Sequence, residues 1–125
     1  MNLVRAALRR LSGRGEVRLA LVVRKDARLT SGGVARHCAE AAVNAYKRAA
    51  ETPRLLSKWE AVGTPKLVFK VENVEEMKTL WQKANELNIL TSFSYDENGN
   101  EPTVVGFGPN DKETLNAITK KLKLL

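Results

Sequence analysis

At 125 residues, the chain has the length of one domain that buries a core without disulfide staples. The single cysteine excludes an internal disulfide, and one histidine with one cysteine is too few for a zinc site of the usual ligand types. No apolar run reaches about 18 residues, which predicts no membrane span. The net charge of +7 is typical of nucleic-acid binders, but a solvated basic surface would carry the same charge.

The first 15 residues form a basic segment that we expect to be separate from the folded domain. They contain four arginines and no acidic residue, with apolar residues at helical spacing. This pattern is typical of a mitochondrial transit peptide, and a basic arm that adds affinity for a polyanion is the alternative. Gly13 and Gly15 mark the boundary, so the chain is predicted to divide into a basic amphipathic arm or targeting segment (residues 1–15) and a domain (residues 16–125).

The domain is predicted to belong to the α/β class, with the element order β-α-α-β-α-β-β-α. Residues 17–24 are apolar at nearly every position, as in a central strand that is covered on both faces. Helical crossovers after the first and second predicted strands indicate parallel pairing, and Asn98-Gly99 indicates an antiparallel hairpin. We therefore expect a mixed four-stranded sheet flanked by helices on both faces.

One stretch, residues 30–42, lies where an α/β domain usually places its chemistry. It follows the first predicted strand and opens a helix, and it contains the only histidine, His37, and the only cysteine, Cys38. Gly32-Gly33 fits neither a Rossmann fingerprint nor a P-loop. His37 is open to interpretation as a base, an RNA contact or a solvated side chain. Cys38 lies among alanines, which favours a small core residue over a reactive thiol.

Five separated segments of the chain together match the sequence pattern of a known family. They are Val22-Val23-Arg24-Lys25-Asp26, Ala35-x-x-Cys38-x-x-Ala41-Ala42-Val43-x-Ala45-Tyr46, Trp59-Glu60-x-x-Gly63-x-Pro65-Lys66, Thr103-Val104-Val105-Gly106-Phe107-Gly108-Pro109 and Leu122-Lys123-Leu124-Leu125. In this order, over residues 17–125, they resemble the archaeal and eukaryotic (second) type of peptidyl-tRNA hydrolase. The resemblance implies a mixed four-stranded sheet flanked by helices, in agreement with the prediction above.

The resemblance also implies an activity, which is hydrolysis of the ester between a peptide and the 3′ ribose of tRNA. No metal or organic cofactor is implied. A carboxylate can orient the attacking water, a cation or hydroxyl can stabilise the oxyanion, and basic residues can hold tRNA phosphates. The implied partner is tRNA, with the ribosome and a homodimer left open. The implied process is translation. The first 15 residues favour a mitochondrial location, and the folded domain would suit the cytoplasm as well.

The sequence departs from the family pattern at the expected site. The two lysines of the family loop fall on Ser31 and Gly33, the second being the one usually given a catalytic role. The family's glutamine falls on His37 and its histidine on Glu40. Asp96 matches the functional aspartate, although the loop after it is shorter and lacks the family's first threonine. The second threonine is retained as Thr103.

Two hypotheses follow from these departures. In the first, the chain is a hydrolase in which Asp96 positions water, Thr103 assists, and His37 or Arg36 replaces the missing cation beside the loop Ser31-Gly32-Gly33. Loss of one oxyanion donor typically costs about 10²–10³ in rate. In the second, the chain is a non-catalytic binder of tRNA, ribosomal RNA or protein. Both use the same predicted nucleic-acid contacts, which are Arg24, Lys25, Arg28 and Arg36.

Overall fold

The computed structural model describes residues 16–125, so the segment predicted at residues 1–15 lies outside the described residues. The strands are β1 (Val17–Arg24), β2 (Lys66–Val71), β3 (Thr91–Tyr95), β4 (Pro102–Asp111) and β5 (Lys123–Leu124), and the helices are α1 (Ser31–Ala49), α2 (Pro53–Ala61), α3 (Val74–Glu86) and α4 (Lys112–Thr119). A short 3-10 turn, Lys25–Ala27, follows β1. Within this part of the chain, no helix combines the length and apolar character needed to cross a bilayer.

The sheet is mixed, as expected, but it has five strands in the order β3-β4-β1-β2-β5. Only β1 and β2 run parallel, and the other neighbouring pairs are antiparallel. The predicted count of four strands is wrong because the chain end adds β5 to the outer edge of β2, where Leu124 and Lys123 lie opposite Phe69 and Lys70. A strand of two residues is too short to show a period of two in the sequence.

The central strand β1 separates two hydrophobic cores, as its apolar sequence predicts. Ala20 and Val22 face the core that contains residues from α3 and α4, while Leu19 and Leu21 face the core that contains residues from α1 and α2. Successive side chains of a strand point to opposite faces, so a strand covered on both sides must be apolar at both sets of positions. Helices therefore lie on both faces of the sheet.

The first helix is fixed to the sheet by polar contacts as well as by apolar packing. Thr30 caps its start, with the hydroxyl accepting a hydrogen bond from the Gly33 amide at 3.0 Å. Further along, Ser92 of β3 donates its hydroxyl to the Ala41 carbonyl at 2.9 Å, and Asn44 donates its side-chain amide to the Phe93 carbonyl at 3.0 Å. These contacts place one face of α1 directly over β3, and His37 lies on that part of the helix.

The close packing of β3 against β4 gives a test of this arrangement. A Cβ atom added at Gly106 would collide with the Ser92 hydroxyl and lie 3.4 Å from Leu21. We expect Gly106→Ala to lower the free energy of unfolding by about 1–3 kcal/mol, because it forces Ser92 away from its bond to α1. Urea unfolding followed by circular dichroism measures the change. Gly32→Ala, where the added atom meets nothing within 4 Å, is the control and should cost nothing; equal effects would contradict the packing.

Candidate active site

The candidate site begins with a β-bulge in β4. Ser94 pairs with Val104 and Tyr95 pairs with Pro102, so Thr103 is an extra residue in β4 that has no partner in β3. A bulge re-aims the side chain of the inserted residue. The buried Thr103 hydroxyl lies 2.8 Å from Nδ1 of His37 and donates to the Ser94 carbonyl at 3.0 Å. Two of the three predicted catalytic residues, Thr103 and His37, are therefore in direct contact.

His37 is the centre of the network, and only 1% of it is exposed. Its Nδ1 lies 2.7 Å from the Ser94 hydroxyl, in addition to the Thr103 contact, and its Nε2 lies 3.1 Å from a guanidinium nitrogen of Arg36. The Ser94 hydroxyl in turn donates to a carboxylate oxygen of Glu40 at 3.1 Å. Side chains of α1, of the end of β3 and of the start of β4 thus form one hydrogen-bonded cluster, which consists of Arg36, His37, Glu40, Ser94 and Thr103.

Ser94 was not predicted from the sequence, and Glu40 was given no role. The signal for Ser94 is the alternation Thr91-Ser92-Phe93-Ser94-Tyr95, in which the two buried serines share a face of β3. The signal for Glu40 is its spacing of three residues from His37, which places both side chains on one face of α1. Neither signal specifies that the two faces meet, because that depends on how α1 lies across the sheet.

Asp96, the third predicted catalytic residue, is not hydrogen-bonded to this cluster. It is exposed, and its Oδ1 accepts hydrogen bonds from the Asn98 and Gly99 amides, both at 3.0 Å. These contacts are the ordinary stabilisation of a turn by an aspartate. The carboxylate nevertheless follows Ser94 by two positions, at the end of β3 that carries the cluster, and Oδ2 takes no part in the turn.

Three of the four basic residues predicted to bind nucleic acid, Arg24, Lys25 and Arg28, lie at or just after the carboxyl end of β1. The fourth, Arg36, lies on α1. Arg24 bonds to the Asp26 carboxylate at 2.8 Å and to the Pro102 carbonyl at 3.2 Å, so it ties β1 to the start of β4. Lys25 lies 3.8 Å from Glu72 in an exposed pair, which holds it weakly. Arg28 is exposed and takes part in none of the ion pairs of residues 16–125, while Arg36 is hydrogen-bonded to Nε2 of His37.

The predicted loop Ser31-Gly32-Gly33 is the first turn of α1. Gly33 therefore lies one helical turn before His37, on the side of the helix start. In the described range 16–125, no group of three or more histidine, cysteine, aspartate or glutamate residues is arranged to hold a metal ion.

Cys38 is half-buried and packs against the core between the sheet and the helices α1 and α2. Burial disfavours the thiolate and raises the pKa of the Cys38 thiol. Its position matches the expected core residue rather than a nucleophile.

Comparison with known proteins gives the family. The family model described as "Peptidyl-tRNA hydrolase PTH2" matches residues 17–125. The chain is 36% identical over 116 residues to "Peptidyl-tRNA hydrolase 2, mitochondrial" of Bos taurus, and 35% identical over 120 residues to the protein of the same name from Homo sapiens. It is 36% identical over 115 residues to "Peptidyl-tRNA hydrolase" of Thermoplasma volcanium. The chain belongs to the peptidyl-tRNA hydrolase PTH2 family.

The relatives differ in length. The matches cover 88% of this chain and 65% of the bovine protein, and 91% of this chain and 67% of the human protein. This chain thus spans about two thirds of these mammalian relatives. With the archaeal protein, the match covers 87% of this chain and 98% of the relative. A solved structure of a protein of unknown function from Agrobacterium shares the fold, with a TM-score of 0.62 at 16% identity over 89% of this chain and 98% of that one.

The raised pKa of Cys38 leads to a test of its environment. At about pH 8, the folded protein should contain less thiolate than an ordinary cysteine, whose pKa is about 8.5, and should therefore react more slowly with iodoacetamide. The rate is followed by mass spectrometry. The same protein in concentrated urea is the control and should react as fast as free cysteine. Equal rates in the two states would contradict a buried, unreactive thiol.

Proposed function

We propose that this chain hydrolyses the ester that joins a peptide to the 3′ ribose of tRNA. The observation that carries the proposal is the contact of buried His37 with Thr103 on one side and Arg36 on the other. The cluster lies one helical turn beyond Gly33, the position to which the family pattern assigns a lysine. Family membership supports this activity, and the relatives described above are named for it. None of them favours the non-catalytic alternative.

Arg36 is assigned the role of the missing cation. A guanidinium is always charged and only donates hydrogen bonds, so it suits a negatively charged oxygen and cannot act as a base. Arg36 is exposed at the edge of the cluster, where it can turn from His37 towards a bound ester. There it would stabilise the oxyanion that forms when water attacks the carbonyl carbon.

His37 is assigned the role of the base through Nε2. Once Arg36 turns to the substrate, the Nε2 lone pair is free to take a proton from the attacking water while the new carbon–oxygen bond forms. The tetrahedral intermediate then collapses, the ester bond to the 3′ oxygen breaks, and that oxygen takes the proton back from Nε2. The products are a peptide acid and free tRNA.

Thr103 and Asp96 complete the proposed site. Thr103 holds the imidazole in place, because its hydroxyl lies 2.8 Å from Nδ1. Asp96 is assigned to orienting the water, since its Oδ2 is outside the turn contacts and its carboxylate is exposed at the end of β3. Substrate phosphates would be held by Arg28 and Lys25, with Arg36 nearby and with Arg24 bracing the strand end.

The compartment and the assembly state also belong to this proposal. The names of the bovine and human relatives, together with the arginine-rich pattern of residues 1–15, support a mitochondrial location, and the cytoplasm is the alternative. Binding to the ribosome and formation of a homodimer stay predictions.

The assigned role of Arg36 can be tested directly. Purified protein is incubated with an N-blocked aminoacyl-tRNA, and the release of free tRNA is followed with time. We expect Arg36→Ala to lower kcat by about 10²–10³, the usual loss for one oxyanion donor. Arg48→Ala is the matched control, because it removes the same charge from an exposed position near the other end of α1.

Two results would count against this assignment. No release by the wild-type chain above background, at high protein concentration, would overturn the hydrolase proposal. Release that is unchanged in Arg36→Ala would leave the activity in place and remove Arg36 from the site.

The nucleic-acid surface has its own test. Binding of deacylated tRNA is measured over a range of salt concentrations, and the affinity should fall steeply as salt rises. Arg28→Ala should weaken binding and reduce the slope of log affinity against log salt by about 1, as expected for one lost phosphate contact. Lys83→Ala, an exposed charge on α3, is the control. An unchanged slope in Arg28→Ala would place the tRNA elsewhere.

A further inference from the structure

We propose that Glu40 and Ser94 are positioning residues that hold the His37 imidazole with its proton on Nδ1, so that Nε2 carries the lone pair. The proposal rests on the proposed function for its catalytic consequence, but the tautomer itself can be measured without any activity. It concerns a chain of contacts that runs from the exposed Glu40 carboxylate through the buried Ser94 hydroxyl to His37.

Two hydroxyl groups lie within hydrogen-bond distance of Nδ1 of the His37 imidazole. The Ser94 and Thr103 hydroxyls lie 2.7 and 2.8 Å from Nδ1. Ser94 is fully buried and Thr103 is 1% exposed, so water does not replace these contacts. Each hydroxyl has a single proton, and a buried polar group that lacks a partner costs about 1–3 kcal/mol.

The positions of these two hydroxyl protons determine which ring nitrogen of His37 carries the proton. The Thr103 proton goes to the Ser94 carbonyl, and the Ser94 proton goes to the Glu40 carboxylate, which can only accept when it is ionised. Both hydroxyl oxygens therefore face Nδ1 with lone pairs, and Nδ1 must supply the proton that they share. The other nitrogen agrees with this result, because Arg36 only donates and so Nε2 must accept.

Glu40 is the group on which this arrangement depends. The Thr103 proton is directed to a backbone carbonyl that a side-chain substitution does not remove. The Ser94 hydroxyl, in contrast, has two side-chain partners, and of these only the Glu40 carboxylate takes its proton. Without that carboxylate, the Ser94 hydroxyl can rotate and donate to Nδ1. The exposed Arg36 side chain can then turn away from the ring, so that the imidazole places its proton on Nε2. An imidazole in that tautomer has no lone pair on the side of Arg36 and cannot act as the proposed base.

The tautomer can be observed in this chain with little ambiguity, because His37 is its only histidine. The protein is labelled with ¹⁵N-histidine, and two-bond proton–nitrogen correlations are recorded at about pH 8, above the range where an ordinary imidazole is protonated. We expect the wild-type chain to show the Nδ1–H pattern and Glu40→Ala to shift towards the Nε2–H pattern. Glu51→Ala removes the same charge just beyond the end of α1 and should keep the wild-type pattern.

The same variants are then assayed for release of tRNA. Glu40→Ala should lower kcat by roughly 10-fold to 100-fold, because Nε2 of His37 then lacks the lone pair that takes the proton from water. KM should be unchanged, because the residues that bind the substrate are intact. A purely structural role would instead lower the stability without moving the tautomer.

The outcomes separate the two proposals. A wild-type spectrum with the proton on Nε2, or a Glu40→Ala spectrum identical to wild type, would overturn the positioning role. A shift of the tautomer in a chain that releases no tRNA would support the geometry and overturn the hydrolase function. A shifted tautomer with unchanged kcat would overturn the assignment of His37 as the base.

Discussion

The arrangement of the site depends on one constraint, which is that the buried imidazole of His37 must have a partner at each nitrogen. The ring lies between α1 and the sheet and is 1% exposed, so water cannot satisfy it. The bulge in β4 brings Thr103 to one side, and the end of β3 brings Ser94. Arg36 then satisfies the remaining nitrogen from the same helix. The network therefore satisfies the hydrogen-bonding groups of a buried side chain, in addition to any catalytic role.

The presence of Gly33 where the family pattern has a lysine changes which residues would supply the positive charge and the base. A lysine ammonium is a compact charge on a flexible stem, and in the family pattern it would stand at the start of α1. Here the positive charge is found one turn later, on Arg36, next to an imidazole that accepts a hydrogen bond. Because arginine cannot give up its proton, the proposed mechanism assigns the cation and the base to two different residues, Arg36 and His37.

Sequence patterns predicted most of the fold because they follow from burial. The apolar run of β1 and the core position of Cys38 each reflect which side of an element is covered. The fifth strand, Lys123–Leu124, was not predicted, because two residues pair only when a free edge lies beside them. Thr103 and His37 were both candidates for the site, but neither their contact nor the bulge that makes it was predicted from the sequence. Ser94 was missed because its alternation with Ser92 along β3 does not show that this face of the strand meets α1.

The position of Arg36 links binding to chemistry. In the free chain, the guanidinium donates to Nε2 of His37, and this bond occupies the lone pair that a base requires. A phosphate or an oxyanion carries a negative charge that the neutral imidazole lacks, so an anionic substrate attracts Arg36 more strongly than Nε2 does. The arrival of substrate would therefore free Nε2 at the moment when a water has to be deprotonated. Glu40 and Ser94 keep the proton on the opposite nitrogen during this exchange, so that the lone pair is ready when Arg36 leaves.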